Sequence, residues 1–208
     1  MDPALGSGRM GLGLLQGDGT FAALKSSFCA GGDGTGSSQN PVFHNRSVIM
    51  DMTPKRPAES ATEMVQVVLP NDANPLGFIL GGTVMHLIDI AGAIACHRHT
   101  RTLLVTAAVD GLEFLHPIKV GDLIILKSRV TCVFNTSLEV RVDVYSEETL
   151  TGRRQQTSRA FLTFVGIDRE GRRVRVPPLL TETAEELREC ESAHARRAER
   201  LQRKTSCP

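Results

Sequence analysis

The stretch Asn74–Ala93, NPLGFILGGTVMHLIDIAGA, decides the fold. From Gly81 onward its pattern is helical and apolar nearly all the way round. A helix of that kind must be wrapped by other structure rather than rest on a surface. Asp89 is the only acidic residue between Gly81 and His97. A carboxylate buried there is costly unless something pairs with it or uses it.

The flanking segments supply the wrapping. MVQVVL (Met64–Leu69) reads as a short valine-rich strand ended by Pro70, and NDANPLG is turn chemistry. The helix is expected over Thr83–His97. The period then changes to two, predicting strands at Leu103–Leu115, Asp122–Phe134, Ser137–Tyr145 and Thr157–Ile167. In the third of these, Leu138, Val140, Val142 and Val144 share one face, and Glu139, Arg141 and Asp143 the other. A charged helix over Glu182–Lys204 closes the chain. Its acids come early and its bases late, as the macrodipole favours, so it reads as a solvated, self-stabilised helix. The economical solution is an α+β hotdog fold, a curved antiparallel sheet wrapped around a central helix, with a C-terminal helix. Such a sheet has an open edge strand, which invites pairing between subunits and predicts at least a dimer.

Composition narrows the function classes. The 208 residues suffice for one domain with a good core. A net charge of +1, no tryptophan and one tyrosine argue against nucleic acid, and no run approaches the ~18 apolar residues of a membrane span. Residues 1–49 hold ten of the 19 glycines without sustained periodicity. The expected division is a disordered extension over residues 1–60, a hotdog domain over 61–180, and a charged helix and tail over 181–208. The extension makes a poor signal or transit peptide, and Met50 or Met52 is an alternative start. The five cysteines are scattered without a CxxC pair, which suggests a reducing, cytoplasmic setting and no metal site. Cys96 and Cys132 lie in apolar patterns and read as small core hydrophobes. His86, His97 and His99 form no convincing ligand set, and His116 before Pro117 reads as a turn residue.

Chemistry concentrates at the helix entrance. Met85, Asp89, Gly92 and Cys96 share one helix face. Gly81 and Gly82 leave the first helical N–H groups unshielded, a suitable site for a developing oxyanion. Asn74 offers a side-chain amide that can orient water or a carbonyl. A carboxylate base, an amide and an oxyanion site together describe hydrolysis of an acyl compound. A structural aspartate, and glycines that merely serve helix packing, are the competing readings.

The segments DANPLGFILGGTVMHLIDIAGAIACHRH, VTAAVDGLEFLHPIKVGD and NTSLEVRVDVYSEETLTG, in this order, resemble the hotdog acyl-coenzyme A thioesterases, the group of the brain-type and cytosolic acyl-CoA hydrolases and the bacterial YciA enzymes. The resemblance runs from about Met64 to Leu180. It implies that Asp89 is the catalytic carboxylate, as general base or nucleophile. It further implies that Asn74 works across a dimer interface beside a partner's aspartate, and that the backbone at Gly81 and Gly82 polarises the thioester carbonyl. For the coenzyme it implies main chain at Ala107, Ala108 and Val109, the turn Thr136, Ser137 and Leu138, and a basic residue of the last helix, Arg196 or Arg197. Leu80 departs from the His or aromatic residue often found before the double glycine.

The expected activity is hydrolysis of acyl-CoA to a free acid and coenzyme A. It needs no cofactor beyond the coenzyme A of the substrate, and the expected assembly is a dimer or a trimer of dimers. Asp89 must be ionised to act as base, so activity should fall as pH drops. Two alternatives stand beside this. One is a hotdog acyl-thioester dehydratase, disfavoured because Asp rather than His holds the central helix position. The other is a non-catalytic acyl-CoA sensor, disfavoured because no output module is visible.

Overall fold

The structure, a computed structural model, describes residues 51–205. Most of the expected N-terminal extension, with Cys29 and Met50, lies outside them, as does Cys207. Residues 51–60, expected to be disordered, are instead ordered. A single helical turn, α1 (Pro57–Ser60), begins at a proline suited to a first helical position. Ser60 is fully buried, and its hydroxyl accepts from the Val130 N–H at 3.0 Å. Lys55 donates to the carbonyl of His99 at 2.7 Å, placing a cation at the C-terminal end of the central helix. These polar side chains satisfy backbone groups of the domain, which is why order starts earlier than hydrophobic periodicity suggests.

Five strands form one antiparallel sheet: β1 (Thr62–Val67), β2 (Leu103–Phe114), β3 (Leu123–Val133), β4 (Ser137–Glu147) and β5 (Arg154–Ile167). Their spatial order is β1-β3-β4-β5-β2, so β1 and β2 are the edges. The central helix α2 (Gly81–Thr100) packs on the inner face. It buries Val84, Leu87, Ile88, Ala91 and Ala95 against Leu126, Val140, Leu162 and Phe164. Gly92 sets how close the helix comes, since a Cβ there would stand 3.1 Å from both Phe164 and Val140. The helix ends where Arg101 turns left-handed (φ 54°) and its N–H closes on the His97 carbonyl. This is the expected hotdog arrangement.

Enclosure of α2 is less complete than its apolar sequence suggests. Val84, Ile88, Ala91 and Ala95 form its buried face, but Met85 is 49% exposed and Asp89 only half-buried. Gly92 and Cys96 on the same face are buried, so the part the sheet leaves uncovered is the stretch with Met85 and Asp89, next to the edge strand β2. That strand exposes Leu103, Val105, Val109 and Phe114, an apolar edge of the kind that pairs with another chain.

The outer face of the sheet corrects the reading of the C-terminal helix as a solvated element. Helix α3 (Ala184–Thr205) lies against it. It starts with a capping box: the Thr183 hydroxyl accepts from the Glu186 N–H, and the Glu186 carboxylate accepts from the N–H groups of Glu182 and Thr183. Those bonds hold the Glu186 carboxyl below its usual range. Ala193 is fully buried, and ion pairs anchor the helix: Arg129 (2.9 Å) and Arg141 with Glu189, Arg196 with Glu139 (2.7 Å) and Arg200 with Asp110. Glu139 is 1% exposed; the outward charges Glu139 and Arg141 of β4 pair with α3, whereas Asp143 pairs with Arg141 and Arg159 within the sheet.

Cys132 is likewise not a core hydrophobe. A β-bulge between Val130 and Cys132 sets Cys132 opposite Glu139, on the outer face, where it is disulfide-bonded to Cys190 of α3. Cys96 matches its expectation as a buried free thiol; burial first, and the Asp89 charge second, push its pKa up.

Candidate active site

Asp89 stands on α2 facing the inner side of β2. Its Oδ1 accepts a 2.7 Å hydrogen bond from the hydroxyl of Thr106. This contact depends on an irregularity in β2: its pairing with β5 shifts between Thr106 and Ala108, leaving Ala107 as the extra residue of a bulge. Bulges re-aim side chains at sheet edges. A hydroxyl donor orients the carboxylate, and Oδ2 makes no hydrogen bond among the described residues. That oxygen is free to take a proton from water or to attack a carbonyl carbon.

The second half of the site lies at the entrance of α2. The Asn74 side-chain oxygen accepts from the N–H groups of Leu76 (2.9 Å) and Phe78 (3.2 Å), and its main-chain N–H donates to the Phe78 carbonyl. This Asx turn fixes which end of the amide is oxygen, leaving Nδ2 as the outward donor. Gly77, left-handed at φ 79°, completes the turn. The segment after β2 braces it: Ile79 N–H donates to Ile118, and Val120 N–H to Gly77. Gly121, at φ 89°, closes that segment, which accounts for the glycine of HPIKVGD.

Helix α2 then begins at Gly81. The first intrahelical bond runs from the Val84 N–H to the Leu80 carbonyl, so the N–H groups of Gly81, Gly82 and Thr83 have no helical acceptor. A Cβ at Gly82 would meet nothing within 4 Å, so a ligand atom can approach the backbone there. A cleft of about 410 Å³ opens beside these groups, lined by Asn74, Ile79, Gly81, Val84, Phe114 and Ile118 among others. His116, read as a turn residue, also lines it.

Within one chain, therefore, Asn74 and Gly81 share a cleft, whereas Asp89 is outside its lining. Eight residues of helix separate Gly81 from Asp89, a rise of ~12 Å. The segments implied for the coenzyme share one end of the sheet. Register aligns Leu138, Phe164 and Thr106 in a single row across β4, β5 and β2. Ala107 and Val109 are exposed and Ala108 half-buried on the edge strand. Thr136 and Ser137 form the β3–β4 turn, with the Thr136 carbonyl accepting from Gly166 and the Ser137 carbonyl from Phe134; Leu138 is in the core. The guanidinium of Arg196 is held by both carboxylate oxygens of Glu139 and lies 3.7 Å from the Phe161 ring centre. Arg197 stacks over Phe134 at 4.4 Å. His97 bonds the Thr102 carbonyl and His99 the Pro177 carbonyl, so the two serve backbone contacts.

Thr106 escaped the reading of the sequence. It sits in an alternating strand like any other threonine, and only the bulge turns it to Asp89. The one signal in the sequence is its place immediately before Ala107.

A hotdog domain with an edge-facing carboxylate and an amide-bearing cleft at a helix N-terminus is the architecture of a thioester-hydrolysing domain. The family model of the thioesterase superfamily matches residues 76–152. An uncharacterized acyl-CoA thioester hydrolase of Bacillus subtilis, YkhA, is 40% identical over 146 residues, 70% of this chain and 85% of that protein. The chain belongs to the thioesterase superfamily. The human cytosolic acyl coenzyme A thioester hydrolase is 32% identical over 150 residues, but the chain spans only 40% of its length. A hexameric acyl-CoA thioesterase superposes with TM-score 0.71 at 37% identity, covering 75% of this chain and 99% of that one. The acyl-CoA hydrolase of Staphylococcus aureus, solved with butyryl coenzyme A, coenzyme A and coenzyme A disulfide, superposes with TM-score 0.67 at 31% identity, covering 73% and 92%. Alanine variants of that protein have been solved at an asparagine, an aspartate and a threonine. The asparagine precedes the aspartate by fifteen residues and the threonine follows it by seventeen, the same intervals that separate Asn74, Asp89 and Thr106.

Proposed function

We propose that the protein is an acyl-CoA thioesterase whose active site is shared between two chains. The observation that carries this is the Asp89 carboxylate, oriented by Thr106 and set beside an exposed strand edge, on a helix whose own oxyanion-competent end is ~12 Å away. An isologous dimer joined at β2 brings Asp89 and Thr106 of one chain toward Asn74, Gly81 and Gly82 of the other, giving two equivalent sites. The first-turn N–H groups polarise the thioester carbonyl, Asn74 Nδ2 orients the attacking water or the carbonyl, and Asp89 removes the water's proton. The tetrahedral intermediate then collapses by breaking the C–S bond, releasing the acid and the coenzyme A thiol, which takes up a proton.

Ala107–Val109 and the Thr136–Leu138 turn, which share one end of the sheet, are the proposed coenzyme contacts, with Arg197 as the basic residue of α3. Arg196 is a weaker candidate because Glu139 already holds it. Assembly beyond the dimer, to a hexamer, follows the hexameric neighbour, and a cytoplasmic setting follows the cytosolic relative. No helix among the described residues is long and apolar enough to cross a membrane. No cofactor is invoked, since every step uses side chains and backbone of the chain.

The test is free-thiol release from acyl-CoAs of increasing length. Asp89→Asn should lower turnover by ~100-fold or more, the size expected for a lost general base or nucleophile, while leaving acyl-CoA binding in place. Mixing Asn74→Ala with Asp89→Asn chains should restore about a quarter of wild-type activity, because half the randomly mixed dimers regain one complete site. Undiminished thiol release by Asp89→Asn would refute the chemistry. No recovery in mixtures that demonstrably exchange subunits would refute the shared site. Binding without thiol release by the wild-type chain would favour the sensor reading.

A further inference from the structure

The outer face of the sheet carries a group of side chains that thioester hydrolysis does not use. Cys190 and His194 are four residues apart on α3, hence on one helix face, and Cys132 lies across from them on β3. The two sulfurs and an imidazole nitrogen fall within 4.8 Å of one another. The His194 ring is set by an edge-on contact with Phe134, centroids 5.1 Å apart. We propose that Cys132, Cys190 and His194 form a redox-gated site for a thiophilic divalent metal ion such as Zn²⁺, available only when the Cys132–Cys190 bond is reduced.

The donor chemistry is what zinc selects: two thiolates and an imidazole, with Zn–S near 2.3 Å and Zn–N near ~2.0–2.1 Å. A tetrahedral ion with those bond lengths needs donors roughly 3.5–3.8 Å apart. Reduction frees the two sulfurs to separate to that spacing beside an imidazole already within 4.8 Å, and three protein donors leave the fourth position to water.

Survival of the site after reduction does not depend on the disulfide. Glu189, just before Cys190, is paired with Arg129; Arg196, two residues after His194, is paired with Glu139. These pairs hold α3 on the sheet from both sides of the donor group. The bulge fixes Cys132 on the facing strand.

The same two sulfurs cannot bond each other and a metal at once. A phosphine reductant gives two electrons to the Sγ–Sγ bond and leaves as its oxide with oxygen from water, whose two protons appear on the thiols. Zinc binding then releases both thiol protons. A disulfide oxidant reverses the state: two electrons pass from the protein thiolates to its S–S bond, it takes two protons from solvent and departs as two thiols, and the metal is expelled as Cys132–Cys190 re-forms.

The test uses the full chain with Cys29→Ser and Cys207→Ser in every sample, so that Cys96, Cys132 and Cys190 remain. Protein reduced by a phosphine under anaerobic conditions is titrated with Co²⁺, and Zn²⁺ is used to displace it. The expected result is one Co²⁺ per chain with a thiolate-to-metal charge-transfer band and the intense visible bands of tetrahedral cobalt. Oxidised protein should bind none, and oxidised glutathione should release bound zinc. Cys190→Ser should abolish the charge-transfer spectrum. His194→Ala, which leaves both sulfurs in place and guards against a folding defect in the cysteine variant, should weaken binding by more than the ~10–100-fold typical of a lost outer-shell partner. Cys96→Ser should change nothing. Absence of stoichiometric binding to the reduced protein overturns the proposal, as does an unchanged spectrum in folded Cys190→Ser or unchanged affinity in His194→Ala.

Discussion

Replacing Arg196 by alanine separates two roles for this residue. As a coenzyme contact it should matter to substrate binding; as the partner of Glu139 it should matter to folding. Glu139 is 1% exposed, and both its oxygens are held by Arg196 at 2.7 and 2.9 Å, with Thr131 donating at 2.8 Å. Removing the guanidinium leaves a buried carboxylate with one neutral donor. Breaking a buried pair from one side costs ~3–5 kcal/mol. Arg196 is itself a quarter exposed, so the lower end applies, about 3 kcal/mol, because water can reach the vacated space. For a domain of this size that corresponds to a fall in Tm of ~6–12 °C. The double variant Glu139→Gln, Arg196→Met removes both charges and should recover most of the loss. The assay is thermal unfolding of the three variants, with KM for acyl-CoA measured well below the lowest Tm. An Arg196→Ala protein that melts like wild type but has a raised KM would refute the structural assignment.

Thr106→Val tests the bond that orients Asp89. A hydrogen bond to a charged group contributes ~1.5–3 kcal/mol, so kcat should fall by about tenfold to a hundredfold. Melting should barely move, since Thr106 is exposed on an edge strand; steady-state kinetics beside a melting curve checks both. His99 supplies a pH dependence of stability. It is fully buried, its Nε2 bonds the Pro177 carbonyl, and Nδ1 has no partner among the described residues. Burial, above all, lowers its pKa below the ordinary 6.5. The unfolded chain therefore takes up the proton first, so this contribution is fully present above about pH 6.5 and is lost as pH falls toward the lower folded value. Urea unfolding at about pH 7.5 and about pH 5.5 should show that loss, and His99→Gln should flatten it.

Much of this protein is legible in its sequence because its signals are local. The period of two marks β2 to β5, and the apolar run after a double glycine marks α2. Acids early and bases late mark α3. Asn74, Gly81 and Gly82 were also within reach, since a turn and a helix N-terminus are fixed by neighbours a few residues apart. The resemblance to acyl-CoA thioesterases rests on the same local segments.

What only the tertiary structure decided are contacts between distant residues, and irregularities that shift which face a side chain takes. The bulge at Ala107 turns Thr106 to Asp89, and the bulge before Cys132 moves that residue from the expected core to the outer face. Neither bulge changes composition or period enough to be read. The partners of α3 depend on sheet register: Glu139 and Arg141 look like solvent-facing charges until a helix some fifty residues later pairs with them. The separation of Asp89 from the cleft of Asn74 and Gly81 follows from helical rise. Sequence alone names the groups that chemistry needs; the rigid spacing of helix and sheet determines that one chain does not bring them together.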